Sequence, residues 1–461
     1  MFEFYVGLTG LCLSLLTIGY ISILAIQFSL IKHKNTERAY DYHRLQTVII
    51  LFFHLVAYTV LLYHYDFEYK VIMIYLGQIG LILLSGHIVN LYMNKTILPL
   101  WSIGQFLLVI SFILLGRLSI NLGLKQFYLS CLAYVVVFAV VLLYSRMNFI
   151  KYLGVPSVIL AVLMLVMTNE TINGATNWMR IGSFTFQPSE LVKILYIIFL
   201  ASTLTQFHEH EKLSLFVTGT ITMGMVMIQV YQRDLGSALI FYSVFILMSY
   251  VYTRKRMYII AGTIMTMVGG FFAYRFFWHV RVRIDTWIDP FSDIDHTGYQ
   301  ITQSLFAIGN GGLFGRGLTL GLPNRIPVVT TDFIYSAIVE ELGLVVGLGI
   351  IIMIVYFFLF GIQMIEKSQN DFNFLMGSGI LIIIAIQSFL IIGGVTKAIP
   401  LTGVTLPFVS YGGSSLVSTF IMLGILQGIK MNEDRHYKKE MLLKKERLIQ
   451  QMLRDEENCE V

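Results

Sequence analysis

The segment from residue 278 to 332 combines cationic, acidic and aromatic side chains. Its first part holds Trp278, Arg281, Arg283, Asp285, Trp287, Asp289, Asp293 and Asp295. Guanidinium groups bind phosphate oxygens through paired hydrogen bonds, and a nearby carboxylate can take a proton from a hydroxyl group. This composition predicts a site for an anionic head group such as a pyrophosphate, with one carboxylate as general base. A solvated cap without chemistry is the alternative.

Other ionisable residues fall within strongly apolar stretches, where a charge is costly and often has a function. Glu190 and Lys193 are three residues apart and therefore share one face of a helix. They indicate either functional groups or a simple ion pair that holds helices together. The adjacent Glu340 and Glu341 point about 100° apart on a helix, so at most one of them faces a given cavity.

The elements that must position these residues are predicted to be membrane-spanning helices. Of 461 residues, 56% are hydrophobic and 13% are charged, whereas soluble domains have about 25% charged residues. With a mean hydropathy of +0.75, the chain is expected to be an all-α polytopic membrane protein without a sizeable soluble domain. Thirteen candidate spans lie at about 5–31, 46–64, 71–92, 97–116, 126–144, 152–168, 190–206, 214–230, 235–252, 257–276, 333–364, 374–395 and 408–429.

The loops between these spans predict the orientation of the chain. Lys and Arg are more frequent on the side that also carries the C-terminal tail, and the positive-inside rule places this side in the cytoplasm. The N-terminus is then expected outside, and the first apolar run is expected to be a retained span. The charged tail after residue 430 is typical of a helix near the membrane surface, or of a solvated helix.

Histidines and cysteines show no metal-ligand pattern. His54 and His87 lie in the second and third spans, where we expect packed, hydrogen-bonded side chains. Cys12 and Cys131 lie within apolar runs and Cys459 lies in the tail, which argues against a disulfide framework. The net charge of +5, without a basic stripe interleaved with aromatic residues, argues against a nucleic-acid partner.

Five short segments place glycine, proline and polar residues at distinctive spacings. They are NGATNWMRIG at 173–182 with QPSELVK at 187–193; QRDLG at 232–236; DPFSD at 289–293 with GYQ at 298–300 and AIGNGGLFG at 307–315; TDFIYSAIVEELG at 331–343; and PLTG at 400–403 with LPFVSYGGSS at 406–415. In this order they resemble the SEDS family, the RodA, FtsW and SpoVE proteins of bacterial cell-wall synthesis. The resemblance extends from about residue 97 to 430 and implies a ten-helix body with a large outer loop.

The resemblance also implies an activity. It is that of a peptidoglycan glycosyltransferase of the bacterial cytoplasmic membrane, which polymerises lipid II by inverting glycosyl transfer during elongation, division or sporulation. The family's catalytic aspartate ahead of Gly-Tyr-Gln corresponds to Asp293, with Asp289 as its neighbour. The expected substrate contacts are Trp178, Gln187, Glu190, Lys193, Arg281, Arg283, Tyr299, Gln300, Asp332, Glu341 and Ser410. An interfacial anchor is an alternative role for Trp178.

Partners and cofactors are implied in the same way. The expected partners are lipid II, glycan linked to undecaprenyl pyrophosphate, and a class B penicillin-binding protein that supplies the transpeptidase. A divalent cation, Mg²⁺ or Mn²⁺, is a candidate cofactor, although the carboxylates show no diagnostic spacing. Two alternatives stay open: a lipid II flippase, which would need its charges at mid-membrane, and a scaffold for a transpeptidase.

The sequence also departs from the family pattern. Asn177 precedes Trp178 where many members have arginine, and Arg233 replaces the proline of Gln-Pro-Asp-Leu-Gly. The stretch before Asp332 lacks a glutamate and a histidine, which indicates a divergent subgroup. The expected division is an N-terminal extension of about three spans (1–95), a ten-helix body (96–430) with the outer loop 278–332, and a charged cytoplasmic tail (431–461).

Overall fold

The computed structural model describes residues 2–459 apart from 34, 94, 148, 173, 183, 367 and 369, and no side chains at 36, 181, 184, 208, 436 and 448–459. Asn173, the first residue of the 173–182 segment, lies outside the described residues. The described helices are α1 (Phe2–Lys32), α2 (Thr36–His64), α3 (Tyr69–Tyr92), α4 (Leu98–Leu118), α5 (Ile120–Tyr144), α6 (Gly154–Val166), α7 (Pro188–Gln206), α8 (Glu211–Tyr231), α9 (Leu235–Thr253), α10 (Met257–Phe276), α11 (Trp278–Ile288), α12 (Tyr299–Gly311), α13 (Ile334–Leu342), α14 (Leu344–Ile365), α15 (Asp371–Val395) and α16 (Gly413–Cys459).

Within the described residues, twelve helices are long and apolar enough to cross a membrane, which agrees with the predicted all-α polytopic class. The sixth candidate span, 152–168, is an exception. It forms α6, whose 13 residues reach only about 20 Å and fall short of a hydrocarbon core of about 30 Å. Even so, α6 connects the two ends of the bundle. Lys151, before it, accepts hydrogen bonds from the end of α7, and Leu165, near its end, accepts one from Gln232.

The eleventh candidate span, 333–364, is corrected by the structure. It is not one helix but two, α13 and α14, which are separated at Gly343. Gly343 has a left-handed φ of 91°, a conformation that glycine adopts without the steric penalty of a Cβ atom. The backbone of residues 313–315 packs directly against it, so no side chain fits there.

The two ends of the bundle carry different segments. We call the end with residues 167–187, 232–234, 277–343 and 396–412 the loop face; Arg283 and Thr402 bond to each other across it. We call the end with residues 145–153, 207–210, 254–256 and 366–370 the tail face. There Lys255 pairs with Glu211 at 2.6 Å. The described part of the chain begins with α1 at the loop face, and α16 extends beyond the tail face.

The first of the two long connections on the loop face is a small sheet. Strands β1 (Glu170–Ile172), β2 (Ala175–Ile181) and β3 (Phe184–Phe186) pair antiparallel in the order β1-β2-β3. The sheet is anchored to the bundle because Thr176 N donates to Gln232 O at 3.0 Å. The sequence analysis did not predict this sheet, since three-residue strands leave no clear alternation of apolar residues.

The last helix differs from the prediction at both ends. The thirteenth candidate span was placed at 408–429, but the helix begins at Gly413, and residues 401–406 before it have no regular structure. The charged tail is helical, as both alternatives required, but it is not a separate helix. It continues α16 without a break as far as Cys459.

The predictions for the two histidines had different outcomes. His54 is fully buried, and its Nε2 atom lies 2.9 Å from Gln78 Oε1, as expected for a packed histidine. His87 is exposed on α3, so the prediction of a packed side chain is wrong for this residue.

Candidate functional site

Asp293 lies on the loop face in the turn between α11 and α12. Its Oδ2 atom accepts hydrogen bonds from Thr297 N at 3.1 Å and from Thr297 Oγ1 at 2.8 Å. These two bonds lower the pKa of the Asp293 carboxyl group below its ordinary value, because they stabilise the ionised form. The side chain is partly exposed, so a substrate hydroxyl group could reach it. The neighbouring Asp289 caps the turn by accepting from Phe291 N at 3.2 Å.

Gly298 closes this turn. Its N–H group donates to Asp293 O at 2.9 Å, and α12 starts at the next residue. A Cβ atom at position 298 would collide with the carbonyl oxygens of Pro290 and Asp293. The glycine of the Gly-Tyr-Gln element is therefore required by close backbone approach, and it fixes Asp293 at the beginning of α12.

Arg281 and Arg283, the predicted pyrophosphate contacts, both use their guanidinium groups within the protein. Arg281 Nη2 donates to Arg275 O at 3.1 Å and the group lies over the Tyr274 ring. Arg283 Nη1 donates to Thr402 O at 3.1 Å and to Leu401 O at 3.2 Å. Burial lowers the pKa of Arg283, and the charges of Asp234 and Asp332 oppose this shift.

Asp234, which the sequence prediction missed, is the centre of a buried polar cluster. Its Oδ2 atom accepts from Asn177 Nδ2 at 2.7 Å, from Gln187 Nε2 at 3.3 Å and from Ser237 Oγ at 2.8 Å. Its Oδ1 atom caps α9 by accepting from Ser237 N. The cluster joins β2, α7 and α9, so Asn177 and Gln187 hold the acidic residue of the 232–236 segment. That segment was the available signal in the sequence.

Asp332 lies next to this cluster. Burial raises the pKa of its carboxyl group to about 6, although Arg283 opposes the shift. A Cβ atom at Gly403 would be 3.4 Å from Asp332 Oδ2, which places the 400–403 segment against this carboxylate. Ser410 fixes the same region, because its Oγ atom donates to Thr331 O at 2.6 Å and accepts from Leu406 N at 2.8 Å.

Arg233 is a second residue of the loop face that the prediction missed. It is exposed and has a left-handed φ of 63°. Its backbone N–H group donates to Val230 O at 3.1 Å, but its guanidinium group makes no hydrogen bond or ion pair with any residue in the described part of the chain. It lies near His279, since the charges of Arg283 and Arg233 add to burial in lowering the pKa of that imidazole. Proline, the usual family residue here, cannot adopt a positive φ.

Glu190 and Lys193 form the predicted ion pair inside the bundle. Lys193 Nζ lies 2.8 Å from Glu190 Oε2 and donates to Gln387 Oε1 at 2.7 Å, and Ser418 Oγ donates to Glu190 Oε2. Both charged side chains are buried, so the pair connects α7 to α15 and α16. The structure therefore contains the ion pair between helices that the structural alternative predicted.

Glu340 and Glu341 have separate partners, as their angular separation on a helix required. Glu340 Oε1 accepts from Leu322 N at 3.1 Å, whereas Glu341 Oε1 accepts from Arg117 Nε at 3.0 Å. Glu341 is thus paired with Arg117 at the end of α4 and does not belong to the cluster of Asp234 and Asp332. Arg117 was not predicted, because nothing in the sequence joins residues so far apart.

The remaining predicted contacts lie on the loop face without a shared cluster. Trp178 is half-buried on β2, opposite Glu170, and Tyr299 and Gln300 are half-buried in the first turn of α12. Among the described residues, no three His, Cys, Asp or Glu side chains come together in a group that could hold a metal ion.

Comparison with known proteins identifies the family. Residues 106–435 match the FtsW/RodA/SpoVE family model, described as a cell cycle protein. The peptidoglycan glycosyltransferase RodA of Mycobacterium bovis is 38% identical over 297 residues, which cover 60% of this chain and 61% of that protein. The probable peptidoglycan glycosyltransferase FtsW of Geobacter metallireducens is 37% identical over 263 residues, covering 56% and 70% of the two chains.

Solved structures show the same fold. A chain from a peptidoglycan synthase complex, described as coordinating polymerization and crosslinking, matches with a TM-score of 0.62 and 22% identity. The match covers 74% of this chain and 99% of the other. The rod shape determining protein RodA of Thermus thermophilus matches with a TM-score of 0.51, 23% identity and coverage of 74% and 98%. On this sequence and fold evidence, the chain is a multi-pass membrane protein that belongs to the FtsW/RodA/SpoVE family.

Proposed function

We propose that this protein is a peptidoglycan glycosyltransferase that polymerises lipid II. The observation that carries the proposal is the placement of Asp293, a partly exposed carboxylate on the loop face that two hydrogen bonds from Thr297 orient. A base that acts on a glycan must be reachable from outside the bundle interior. The names of the mycobacterial and Geobacter relatives support the same activity.

In the proposed reaction, the Asp293 carboxylate takes the proton of the acceptor's 4-hydroxyl group as its oxygen attacks C1 of the lipid-linked donor. The bond between C1 and the pyrophosphate oxygen breaks, and the electron pair leaves with undecaprenyl pyrophosphate. One displacement inverts C1, so an α-linked donor becomes a β-1,4 glycan. The low pKa keeps Asp293 in the base form, and burial by the substrate would raise its basicity.

The leaving pyrophosphate requires positive charge. Arg281 and Arg283 stay candidate contacts, but both already bind backbone carbonyl groups. The guanidinium group of Arg233 makes no hydrogen bond or ion pair within the described residues. We therefore assign the first pyrophosphate contact to Arg233, with the buried charge of Arg283 behind it. No step is assigned to Mg²⁺ or Mn²⁺.

The other expected site residues fall into two proposed roles. Trp178, Tyr299 and Gln300 are open to the loop face and would contact the sugar or lipid. The others would shape the site rather than touch the substrate, because each is buried or half-buried and has a hydrogen-bond or charge partner within the protein; these are Gln187, Glu190, Lys193, Asp332, Glu341 and Ser410.

The arrangement in the cell follows from this reaction. The loop face would lie outside the bacterial cytoplasmic membrane, where lipid II is polymerised, with the N-terminus outside and the tail in the cytoplasm. Residues 1–95 would be an extension, 96–430 the catalytic body and 431–461 the tail. A class B penicillin-binding protein would supply the cross-linking step, and a related chain does occur in a synthase complex.

The test is glycan synthesis from purified lipid II by the detergent-purified protein, with its transpeptidase partner and with Mg²⁺ or a chelator. Wild type is compared with Asp293→Asn, and Asp289→Asn is the matched control from the same turn. We expect glycan ladders from wild type and the control and none from Asp293→Asn. Ladders from all three would place the base elsewhere. No ladder from any would contradict the proposal and favour a flippase or scaffold, which a lipid II translocation assay would separate.

A further inference from the structure

The N-terminal helices pack against α4, the first helix of the predicted catalytic body. The apolar stretch of α4 is completely buried, whereas the apolar stretch of α10 is almost completely exposed. The N-terminal helices contribute to this burial through direct bonds, such as the one between Tyr20 on α1 and Ser102 on α4 at 2.8 Å. The extension is therefore an integral part of the bundle.

The N-terminal end of α1 also touches the loop face. A Cβ atom built at Gly10 would be 2.8 Å from Phe314 O, so the two backbones are in close contact. Val6 is fully buried and packs on Gly317, which has a left-handed φ of 104°. Residues 312–322, which connect α12 to the turn before α13, thus lie directly against α1.

Arg117, at the end of α4, forms hydrogen bonds with the same segment, residues 312–322. Arg117 Nε donates to Glu341 Oε1 at 3.0 Å, and its Nη2 atom donates to Thr319 O at 3.4 Å and to Gly321 O at 3.3 Å. Glu341 is fully buried and Arg117 is 10% exposed, so solvent screens this pair little.

Tyr65, at the end of α2, holds the end of α4. Its hydroxyl group lies 3.1 Å from Gly116 O and 3.3 Å from Arg117 O and donates to these carbonyl groups. The last carbonyl groups of a helix have no partner within the helix, so a donor from another element stabilises the helix end. Tyr65 of the N-terminal extension thus stabilises the helix end that carries Arg117, which binds residues 312–322.

Residues 312–322 are connected to Asp293 through α12. Gly317 N donates to Glu341 O at 3.1 Å, and Leu322 N donates to the Glu340 carboxylate, which joins the segment to α13. On its other side the segment continues from α12, whose first turn follows Gly298 and its bond to Asp293 O. Residues 312–322 are therefore joined directly to both α12, which follows Asp293, and α13.

We infer that Tyr65 and Arg117 are positioning residues, through which the N-terminal extension clamps residues 312–322 and so holds α12 and Asp293 in place for catalysis. The catalytic part of this inference rests on the proposed glycosyltransferase function. The extension is then a built-in support of the outer loop, in addition to a membrane anchor.

The test measures both mobility and activity of the full-length protein in detergent. Tyr65→Phe removes the hydroxyl group that supports α4, and Arg117→Met removes the ion pair. Tyr20→Phe is the matched control, because it removes a bond between the extension and α4 away from the loop face. Amide hydrogen exchange of residues 312–322 is followed together with kcat and KM for lipid II.

We expect both variants to exchange faster at residues 316–322, with kcat lowered about 5-fold and KM changed less than about 2-fold, as for a lost hydrogen bond. Arg117→Lys should recover part of the rate, and Tyr20→Phe should leave both readouts unchanged. If Arg117→Met does not fold, Tyr65→Phe decides.

Unchanged exchange in 312–322 for both variants would overturn the clamp. Faster exchange with normal kcat would overturn the positioning role while the enzyme stays active. An inactive wild type would instead contradict the proposed function, and the exchange measurement would still decide whether the clamp exists.

Discussion

Lys193 Nζ lies 2.8 Å from Glu190 Oε2, and both side chains are buried between α7, α15 and α16. Removing one partner of a buried pair leaves an unpaired charge, which costs about 3–5 kcal/mol. We expect Glu190→Gln to lower the free energy of unfolding by about 3 kcal/mol, measured by denaturant unfolding in detergent. The double variant Glu190→Leu with Lys193→Met should lose less. If it loses as much as or more than the single variant, the pair is not the source of the stability.

Thr297 is predicted to set the acidic limb of the pH–rate profile. Its two hydrogen bonds lower the pKa of Asp293, and the base form is present only above that pKa. Thr297→Val removes the Oγ1 bond, so the pKa rises and activity is lost at a higher pH on the acidic side. The measurement is kcat/KM against pH, which reports the free enzyme. Thr297→Ser, which keeps the hydroxyl group, should retain the wild-type limb. A limb that does not move in Thr297→Val would argue against Asp293 as the base.

Asp332 is predicted to make stability depend on pH. Its pKa is about 6 in the folded protein and 3.8 without burial, so the folded state binds this proton more tightly. The contribution of Asp332 to stability is therefore complete below the lower value and is lost as pH rises through about 6.

Asp332→Asn removes this dependence. The melting temperature of the variant minus that of wild type should become more positive between about pH 4.5 and about pH 7.5. Asp295→Asn, in the exposed part of the outer loop, is the control. If the difference in melting temperature is the same at both pH values, the pKa of Asp332 is not raised in the folded protein.

Arg233 is predicted to contact the pyrophosphate of the substrate. A hydrogen bond to a charged group is worth about 1.5–3 kcal/mol, so Arg233→Gln should lower kcat/KM for lipid II by about 10-fold or more. Arg325→Gln, which removes the same charge from an exposed position on the loop face, should have little effect. Equal effects of the two changes would indicate a general loss of positive charge rather than a specific contact.

Much of the architecture could be predicted from the sequence, because it depends on local composition. Long apolar runs define spans wherever they fold, and twelve long helices appear within the described residues. The predictions failed where backbone geometry overrides composition. An apolar run continues through Gly343, so only the positive φ of that residue reveals the break between α13 and α14. The same holds for α6, whose apolar sequence extends beyond its helical part.

The candidate site divides in the same way. Asp293 could be proposed from its sequence context, and the pairing of Glu190 with Lys193 could be weighed from their spacing of three residues. The partner of Glu341 could not, because Arg117 lies 224 positions away in the chain. Which arginine is free, Arg233 or Arg283, depends on the carbonyl groups that the fold brings near each one.

The sequence by itself therefore determined the membrane class, the family segments and the residue types available for chemistry. Those properties arise from hydropathy and from short-range spacing along the chain. The tertiary structure alone decided which charges are paired, which hydrogen bonds orient Asp293, and that the N-terminal helices contact residues 312–322 and the end of α4. These properties arise from contacts between distant segments, and no local pattern encodes a contact that forms only after the helices have packed.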